Sequence, residues 1–330
     1  MPIENWTNAS DNRQKFQRAG LNVSNAGSEL LQSFVNRTVQ QLTLREFGLQ
    51  AVLSRKEGKG QAEIINRRTA LDAANGGTWV ADTGTVTENA GSYAQVEFSF
   101  KTLLTKGRVT RKLQATGKTY ADVLALEMAG KAEDFANSLE NGILLGDSGS
   151  NANQCDGFIK LIQDVGGDQL ISVAGATTAN AALDLGKLDA AIDAVKGSAQ
   201  RGDLVIVGSF AGIRAVNDAL QAQQRFNDVT EIAAGFRVRT YDGIPLVITS
   251  EMPNDYEFAA DSSIAGNAGT GTALLVMNTR YCWLSELTPT TVMPLAKTSS
   301  QYDEFDIYWD DAPVLANTKG ASMLTHIETA

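Results

Sequence analysis

Apolar residues recur every three or four positions between residues 119 and 147, and this spacing predicts one long amphipathic helix. Thr119 is a candidate N-cap with Asp122 three residues on, and Gly146 can take the left-handed conformation that often ends a helix. Roughly 27 helical residues would span about 40 Å, which indicates a structural strut, although an ordinary core helix would show the same stripe. The stripe comprises Tyr120, Leu124, Met128, Ala132, Phe135, Leu139 and Ile143.

The chain before this helix begins with a polar stretch and a helical pattern, and strand patterns follow over residues 49–113. Residues 1–27 are polar and aperiodic, whereas residues 28–47 have helical spacing. Apolar and polar residues alternate at 96–100, and a strand pattern resumes at 109–113. The stretch between residues 58 and 92 is rich in Gly, Thr, Asn and Ala and cannot build a core of its own. We therefore expect a long strand-forming excursion that lies against something else.

The remainder of the chain alternates helix and strand patterns, with no internal repeat and no linker that divides it. Such an order predicts an α+β body with a central sheet and flanking helices. The predicted elements are an apolar strand at 156–162, helices at 183–196 and 209–222, buried strands at 203–207 and 273–287, strands around a Tyr-Asp-Gly turn within 236–250, and an alternating strand at 302–311.

Charge is distributed unevenly along the 330 residues, whose formal net charge is −10. Residues 1–118 hold more Lys and Arg than Asp and Glu, whereas residues 119–330 hold a larger excess of Asp and Glu. This division predicts that the basic part docks on the acidic part, within a chain or between chains. Nucleic-acid binding by the basic part is the competing interpretation, and it is disfavoured because aromatic residues are few there and no recognition motif appears.

No membrane or export segment is evident in the sequence. The aliphatic runs at 204–207 and 273–277 are far too short to span a bilayer. The first residues, MPIENWTNASDNRQ, lack the basic-then-apolar pattern of a signal peptide, so synthesis in a cytoplasm is expected.

Residues suited to catalysis are scarce. His326 is the one histidine, which leaves little material for a Ser-His-Asp triad or a multi-histidine metal site. Cys155 and Cys282 form no CxxC pair and are expected to be reduced, partly buried thiols. The Gly-rich segment 266–272 lacks the Gly-Lys-Ser/Thr ending of a phosphate-binding loop and precedes a strand, which favours a surface loop. No enzyme activity and no cofactor are therefore expected.

Acidic residues are concentrated in the last predicted strand. Asp303, Asp306 and Asp310 lie there with Glu304 and Asp311, and such a group can hold a cation. In a β-strand, however, Asp306 and Asp310 share a face with other polar positions. A solvated edge strand, or a strip on which a basic partner docks, is favoured over a metal site.

The order of these parts resembles the major capsid proteins of tailed bacteriophages, whose fold is shared with encapsulins and the herpesvirus capsid floor. The long helix leads into ENGILLGD (140–147) and DGFIKLI (156–162), and DGIPLVITSEMP (242–253) follows later. The resemblance covers nearly the whole chain and rests on order and spacing. It implies an N-terminal arm and helix (1–50), an extended β-hairpin loop (51–105), a peripheral domain with a long spine helix (106–160 and 290–312), and an axial domain (161–289 and 313–330).

The resemblance implies a structural protein that assembles with itself into pentamers and hexamers of an icosahedral capsid enclosing double-stranded DNA. DNA would be contacted without sequence specificity, and no membrane would be involved. A portal and separate scaffold or cement proteins are further expected partners. The protein would be located in the virion after assembly in the host cytoplasm.

Two departures from the family pattern change these expectations. Some members crosslink their shells through a loop lysine, but residues 60–100 contain no lysine, so self-crosslinking is not expected here. Some members also carry a long N-terminal scaffolding segment. Only about 50 residues precede the loop here, so a scaffold is expected to be a separate protein.

Candidate contacts between subunits follow from combining the charge division with the implied loop. Basic residues of the loop and its exit strands would meet the acidic strand of a neighbour, while loop aromatic residues would pack on it. The candidates are Arg55, Lys59, Arg67, Arg68, Trp79, Tyr93, Phe98, Arg108, Asp303, Asp306 and Asp310.

Two alternatives remain open at the level of the sequence. An encapsulin-type compartment would use the same fold and would enclose a cargo enzyme instead of DNA. A cytosolic α/β enzyme that binds a ligand with the 266–272 loop belongs to a different class.

Overall fold

The computed structural model describes residues 48–70, 79–85, 91–117, 122–173, 180–195, 201–222, 229–233, 236–257, 270–296 and 301–329. The helix predicted at 28–47 lies outside these residues. Within them the helices are α1 (Gly48–Val52), α2 (Arg111–Gly117), α3 (Val123–Leu145), α4 (Phe158–Val165), α5 (Leu185–Ala194) and α6 (Phe210–Ala222). None of these six is both long and apolar enough to cross a bilayer.

Fourteen strands form three sheets in the same residues. They are β1 (Ser54–Glu57), β2 (Ala62–Ala70), β3 (Ser92–Ser99), β4 (Lys101–Thr110), β5 (Leu170–Ser172), β6 (Leu204–Gly208), β7 (Val229–Ala233), β8 (Phe236–Tyr241), β9 (Ile244–Ile248), β10 (Tyr256–Glu257), β11 (Thr270–Asn278), β12 (Cys282–Pro294), β13 (Tyr302–Leu315) and β14 (Ala321–Ile327).

The smaller body is a four-stranded sheet in the order β1-β12-β13-β4, with the long helix α3 packed on one face. Alternation along β13 places Phe305, Ile307 and Trp309 in the core that α3 contributes to. Strand β13 pairs with β12 on one side and with β4 on the other. The edge-strand alternative for this acidic strand is therefore wrong, because β12 pairs with one of its sides and β4, about 200 residues earlier in the chain, pairs with the other.

The larger sheet has the order β5-β14-β11-β6-β9-β8-β7, with β10 paired to β11. Both of its faces are covered along the central strands. Val205, Val207 and Leu275 face the core shared with α3 and α4, whereas Ile206 and Leu274 face the core beneath α5 and α6. Burial on both faces explains why β6 and β11 read as continuous aliphatic runs instead of alternating ones.

Helix α3 begins and ends differently from the sequence prediction. Asp122 is the N-cap, and its carboxylate accepts hydrogen bonds from the backbone N–H groups of Leu124 and Ala125. Thr119 lies outside the described residues. Gly146 has a φ of −53° and is not left-handed. A Cβ at Gly146 would lie 2.2 Å from the carbonyl oxygen of Cys155, so close backbone approach requires this glycine.

The segment predicted as a strand at 156–162 forms helix α4 instead. Phe158, Ile159 and Ile162 are buried on one side, and Lys160 pairs with Asp164 at 3.0 Å one helical turn away. Four apolar residues in a short run fit either a buried strand or a buried helix, and the packing against α3 and β14 selects the helix.

Two further boundaries differ from prediction. Residues 273–287 form parts of two strands, β11 and β12, which turn at 279–281 and enter different sheets. The strand predicted at 109–113 ends at Thr110, and helix α2 begins at Arg111. The Tyr-Asp-Gly turn is confirmed between β8 and β9, with positive φ at Asp242 and Gly243. Strands β4 and β12 each run across one of the predicted domain boundaries.

Candidate subunit-interface surfaces

The β2–β3 hairpin has two different faces. Paired residues Glu63 and Phe98, then Ile65 and Val96, then Arg67 and Ala94 share the inner face. Phe98 is buried there against Ala312 and Val314 of β13, with Val96 and Ile65 packed at the margin. The base of the hairpin is therefore anchored to its own subunit, and Phe98 serves as a core residue within the chain.

The outer face of the same hairpin is open to solvent. Ile64 is 54% exposed and Tyr93 is 72% exposed, and Arg68 lies opposite Tyr93 in the register. In the tip segment, Trp79 is fully exposed and Val80 is about half exposed. Large apolar side chains in such positions usually mark a surface that another molecule covers.

Adjacent arginines on β2 have different environments. The Arg67 guanidinium donates a hydrogen bond of 2.7 Å from Nε to the carbonyl of Ala316 and a second bond to the carbonyl of Leu315. It also lies over the Phe98 ring, 5.8 Å from its centroid. Arg68 points to the other face and is exposed. Arg67 therefore fastens the hairpin to its own body, while Arg68 is available on the outer surface.

The basic residues of β1 also have partners within the chain. Arg55 pairs with Glu286 at 3.0 Å and lies 5.8 Å from the centroid of the Trp309 ring. Lys56 lies 3.3 Å from the centroid of Trp283, and burial lowers its pKa from the ordinary value while Glu63 opposes that shift. Lys59 is exposed beyond the end of the strand.

The acidic residues of β13 contact the neighbouring strand and helix of the same subunit. Glu304 pairs with Lys106 of β4 at 2.8 Å. Thr102 donates to Asp310 at 2.5 Å, and Gln114 donates to Asp303 at 3.0 Å. These contacts do not require a second subunit. Pairing of the acidic strand with a neighbour stays a prediction.

Arg108 of β4 and Asp306 of β13 are the two remaining charged candidates. The Arg108 guanidinium lies 4.9 Å from the centroid of the Tyr302 ring. Asp306 is half-buried opposite Lys106 in the register, and one of its carboxylate oxygens has no hydrogen-bond partner among the described residues. Alternation along the strands thus places Arg108, Asp306 and Asp310 on the outer face of one sheet, whereas Asp303 lies on the opposite face.

Glu140 on α3 was not among the candidates, although it is fully buried. Its carboxylate accepts hydrogen bonds from the backbone N–H groups of Leu49 and Gln50 and from the Thr249 hydroxyl. Desolvation raises the pKa of Glu140, and these hydrogen bonds oppose the rise. Its place in ENGILLGD, three residues before the buried Ile143, was the signal that could have identified it.

Asp311 is the second buried carboxyl group. It is 3% exposed, and its pKa is raised by burial and by the neighbouring charge of Glu286, while Arg55 lowers it. The two acidic residues Asp311 and Glu286 lie opposite each other in the β12–β13 register.

Groups that could support catalysis are held in unreactive settings in the described part of the chain. His326 is buried, with Nδ1 within hydrogen-bond distance of the Ser172 and Thr325 hydroxyls. Burial raises the pKa of the free Cys155 thiol and raises that of Cys282 to about 12. No group of three or more His, Cys, Asp or Glu residues that could hold a metal occurs among the residues described.

The Gly-rich segment proposed as a ligand loop lies mostly outside the described residues. Its last part, from Thr270, begins strand β11, where Thr272 is buried.

Solved structures with the same fold cover nearly the whole chain. The capsid of a native GTA particle is 16% identical, with a TM-score of 0.68 over 92% of this chain and 98% of that chain. The capsid asymmetric unit of cyanophage A-1(L) is 12% identical, with a TM-score of 0.67 over 91% and 98%. An encapsulin complex from Synechococcus elongatus PCC 7942 is 14% identical, with a TM-score of 0.66 over 92% and 95%.

These likenesses confirm the α+β capsid fold, with a hairpin loop, a long helix over a small sheet, and a larger sheet between helices. No curated protein sequence matches the chain. A family model described as SU10 major capsid protein matches residues 75–328, which is well over half of the sequence. The chain therefore belongs to the SU10 major capsid protein family, as a structural subunit of a self-assembling virion shell and not as an enzyme.

Proposed function

We propose that the protein forms pentamers and hexamers of a closed icosahedral shell that encloses double-stranded DNA. The observation that carries this proposal is the β2–β3 hairpin, which uses one face to contact its own body and leaves the other exposed. A two-stranded hairpin is marginally stable by itself, and its exposed Tyr93 and Ile64 are costly in water. Contact with a neighbouring copy would cover both side chains.

The two larger sheets would belong to different domains of the capsid subunit. The four-stranded sheet with α3 would serve as the peripheral domain, and the larger sheet with α5 and α6 would serve as the axial domain around each ring. The core that contains Phe135 of α3 also contains Leu275 of the larger sheet. A continuous core would let the subunit act as one rigid block within a ring.

The charge of the protein suits a container for nucleic acid. A formal net charge of −10 disfavours tight binding to the phosphate backbone, because such binding depends on an excess of Lys and Arg. Packaged DNA would therefore be held without sequence-specific contacts. A portal and a separate scaffold or cement protein are further proposed partners, and assembly would take place in the host cytoplasm.

Assembly is tested by producing the protein with the other capsid genes of its source and analysing particles by sedimentation and electron cryomicroscopy. We expect closed shells with five-fold and six-fold rings. Tyr93→Ser should reduce shell yield several-fold, whereas Tyr93→Phe should retain it because the apolar ring is kept. Circular dichroism should show both variants folded. A wild-type protein that stays monomeric or dimeric under these conditions would contradict the proposal.

The encapsulin-type compartment is the second candidate, favoured only by the likeness to the encapsulin complex. The family match gives it less support than a phage shell. The contents of purified particles distinguish the two, because nuclease-protected DNA indicates a phage shell and a captured cargo enzyme indicates an encapsulin.

A further inference from the structure

A surface groove runs beside strand β4, between helix α3 and the segment 151–155. Its volume is about 560 Å³, and Asp311 contributes to its lining. Strand β4 is the last strand of the four-stranded sheet among the described residues. One side of its backbone therefore presents N–H and C=O groups that no described strand pairs with.

Carboxamide side chains are concentrated along this groove. Asn137 and Asn141 line it from α3, and Asn151, Asn153 and Gln154 line it from the opposite segment. A carboxamide can both donate and accept hydrogen bonds, as a peptide group does. Together with an open strand edge, such a lining suits an extended polypeptide better than a compact apolar ligand.

Asp311 gives the groove a preference for positive charge. Its Oδ2 atom is buried and has no hydrogen-bond partner among the described residues. Lys101 is opposite Asp311 in the β4–β13 register, but its ammonium group donates to the carbonyl of Ala152 at 2.8 Å. Arg55 is already paired with Glu286. A buried carboxylate that lacks both a hydrogen-bond partner and a paired cation lowers the stability of the folded protein, and an approaching cation would offset this loss.

We propose that this groove receives an extended segment from the basic amino-terminal third of a second copy, and that a Lys or Arg of that segment pairs with Asp311. The inference rests on the proposed assembly. Residues 1–118 contain more Lys and Arg than Asp and Glu. They include Arg68, which is the exposed one of the two arginines on β2.

Pairing of two copies through opposite edges of the same sheet is a weaker explanation. Strand β1 at the other edge carries Arg55 and Lys56, and β4 carries Lys101 and Lys106. Bringing these edges together would oppose like charges and leave Asp311 without a cation.

The proposal predicts opposite effects of Asp311→Asn before and after assembly. In the unassembled protein the change removes an uncompensated buried acid, so the melting temperature should rise. In the shell it removes the partner of the incoming cation, so shell melting should fall and the salt needed to dissociate shells should decrease. Asp134→Asn is the control, because Asp134 is an exposed aspartate on α3 that does not line the groove and should change neither temperature in this way.

The segment that enters the groove can be identified by a photoreactive amino acid at Ser138, an exposed position on α3 that lines the groove. Shells are assembled from equal amounts of isotopically light and heavy protein, irradiated and analysed by mass spectrometry. We expect crosslinks between light and heavy chains that end within residues 1–118. Crosslinks only within one chain, or only to residues 119–330, would overturn the inference.

Three outcomes separate this inference from the proposed function. If unassembled Asp311→Asn is less stable than wild type, the carboxyl is already paired within the chain, for example by Lys101, and the inference fails. If Asp311→Asn shells equal wild-type shells in melting, the inference also fails while the proposed function stands. Failure of the wild type to form shells would instead count against the proposed function.

Discussion

The buried carboxylate of Glu140 on α3 accepts a hydrogen bond of 2.9 Å from the backbone N–H of Leu49 on α1. The same oxygen accepts from the Thr249 hydroxyl at 2.9 Å, and the second oxygen accepts from the Gln50 N–H at 3.1 Å. Thr249 follows strand β9 of the larger sheet. One side chain thus joins the start of the described chain, the long helix and the larger sheet.

We expect Glu140→Ala to destabilise the unassembled protein by about 3 kcal/mol, because it leaves buried donors on α1 and at Thr249 without acceptors. Chemical denaturation followed by circular dichroism measures this change. Asp134→Ala is the control on the same helix, since its ion pair with Lys131 is exposed and should contribute less than about 1 kcal/mol. Equal effects of the two substitutions would show that Glu140 does not join these elements.

Gly130 within α3 and Gly146 just after its end should respond to alanine with opposite changes in stability. A Cβ at Gly130 meets nothing within 4 Å, so Gly130→Ala should stabilise the helix by about 0.5–1 kcal/mol. A Cβ at Gly146 would meet the backbone oxygens of Cys155 and Gly142 at 2.2 and 2.5 Å. Gly146→Ala should therefore destabilise the protein by about 2 kcal/mol. Thermal unfolding of the two variants is the measurement, and a stabilised Gly146→Ala would contradict the close approach.

Arg67 and Arg68 should be separable in the unassembled protein. Arg67→Ala removes hydrogen bonds to the carbonyl groups of Leu315 and Ala316, so backbone amides of β2 and β3 should exchange hydrogen faster. Arg68→Ala removes an exposed side chain and should leave exchange unchanged. Hydrogen exchange with mass spectrometry tests this, and similar exchange in both variants would rule out the anchoring role of Arg67.

Arg68 also tests the predicted charge pairing between subunits. Arg68→Glu should lower shell yield more at low salt than at high salt, because exposed charges are screened within about 8 Å at physiological ionic strength. Arg68→Gln is the control that removes the charge without reversing it, and its effect should be smaller. Yields that do not depend on salt would assign the contact to burial of Tyr93 and Ile64 alone.

Buried Asp311 predicts a specific pH dependence of stability. Burial raises the pKa of Asp311 in the folded protein, so the folded state holds this proton to a higher pH than the unfolded state. The contribution of Asp311 to the free energy of unfolding therefore falls as the pH rises above about 4, the ordinary pKa of an aspartate. Asp311→Asn should therefore be more stable than wild type at neutral pH, and the difference should disappear near the ordinary pKa. Denaturant titrations across this range should show the divergence, and a constant difference would exclude desolvation as its cause.

The amino-acid sequence determined the elements whose pattern depends on local spacing and turn chemistry. The long helix, α5, α6 and the hairpin around Asp242 and Gly243 follow from helical periodicity and from the need for positive φ. The order of these elements also indicated the capsid fold, because order and spacing survive when individual residues change. The single histidine also disfavoured a Ser-His-Asp triad and a multi-histidine metal site.

Only the tertiary structure decided which side chains meet. A short apolar run such as 158–162 is compatible with a strand or a helix, and its packing against α3 made it a helix. The sequence left an edge position open for the acidic strand, and the pairing with β12 and β4 excludes it. Glu140 and Arg67 form hydrogen bonds with residues between 90 and 249 positions away, and Phe98 packs against Ala312 and Val314. No local pattern encodes such pairs. Burial, which changes the pKa of a carboxyl group and fixes the role of an arginine, depends on contacts that form only when distant segments come together.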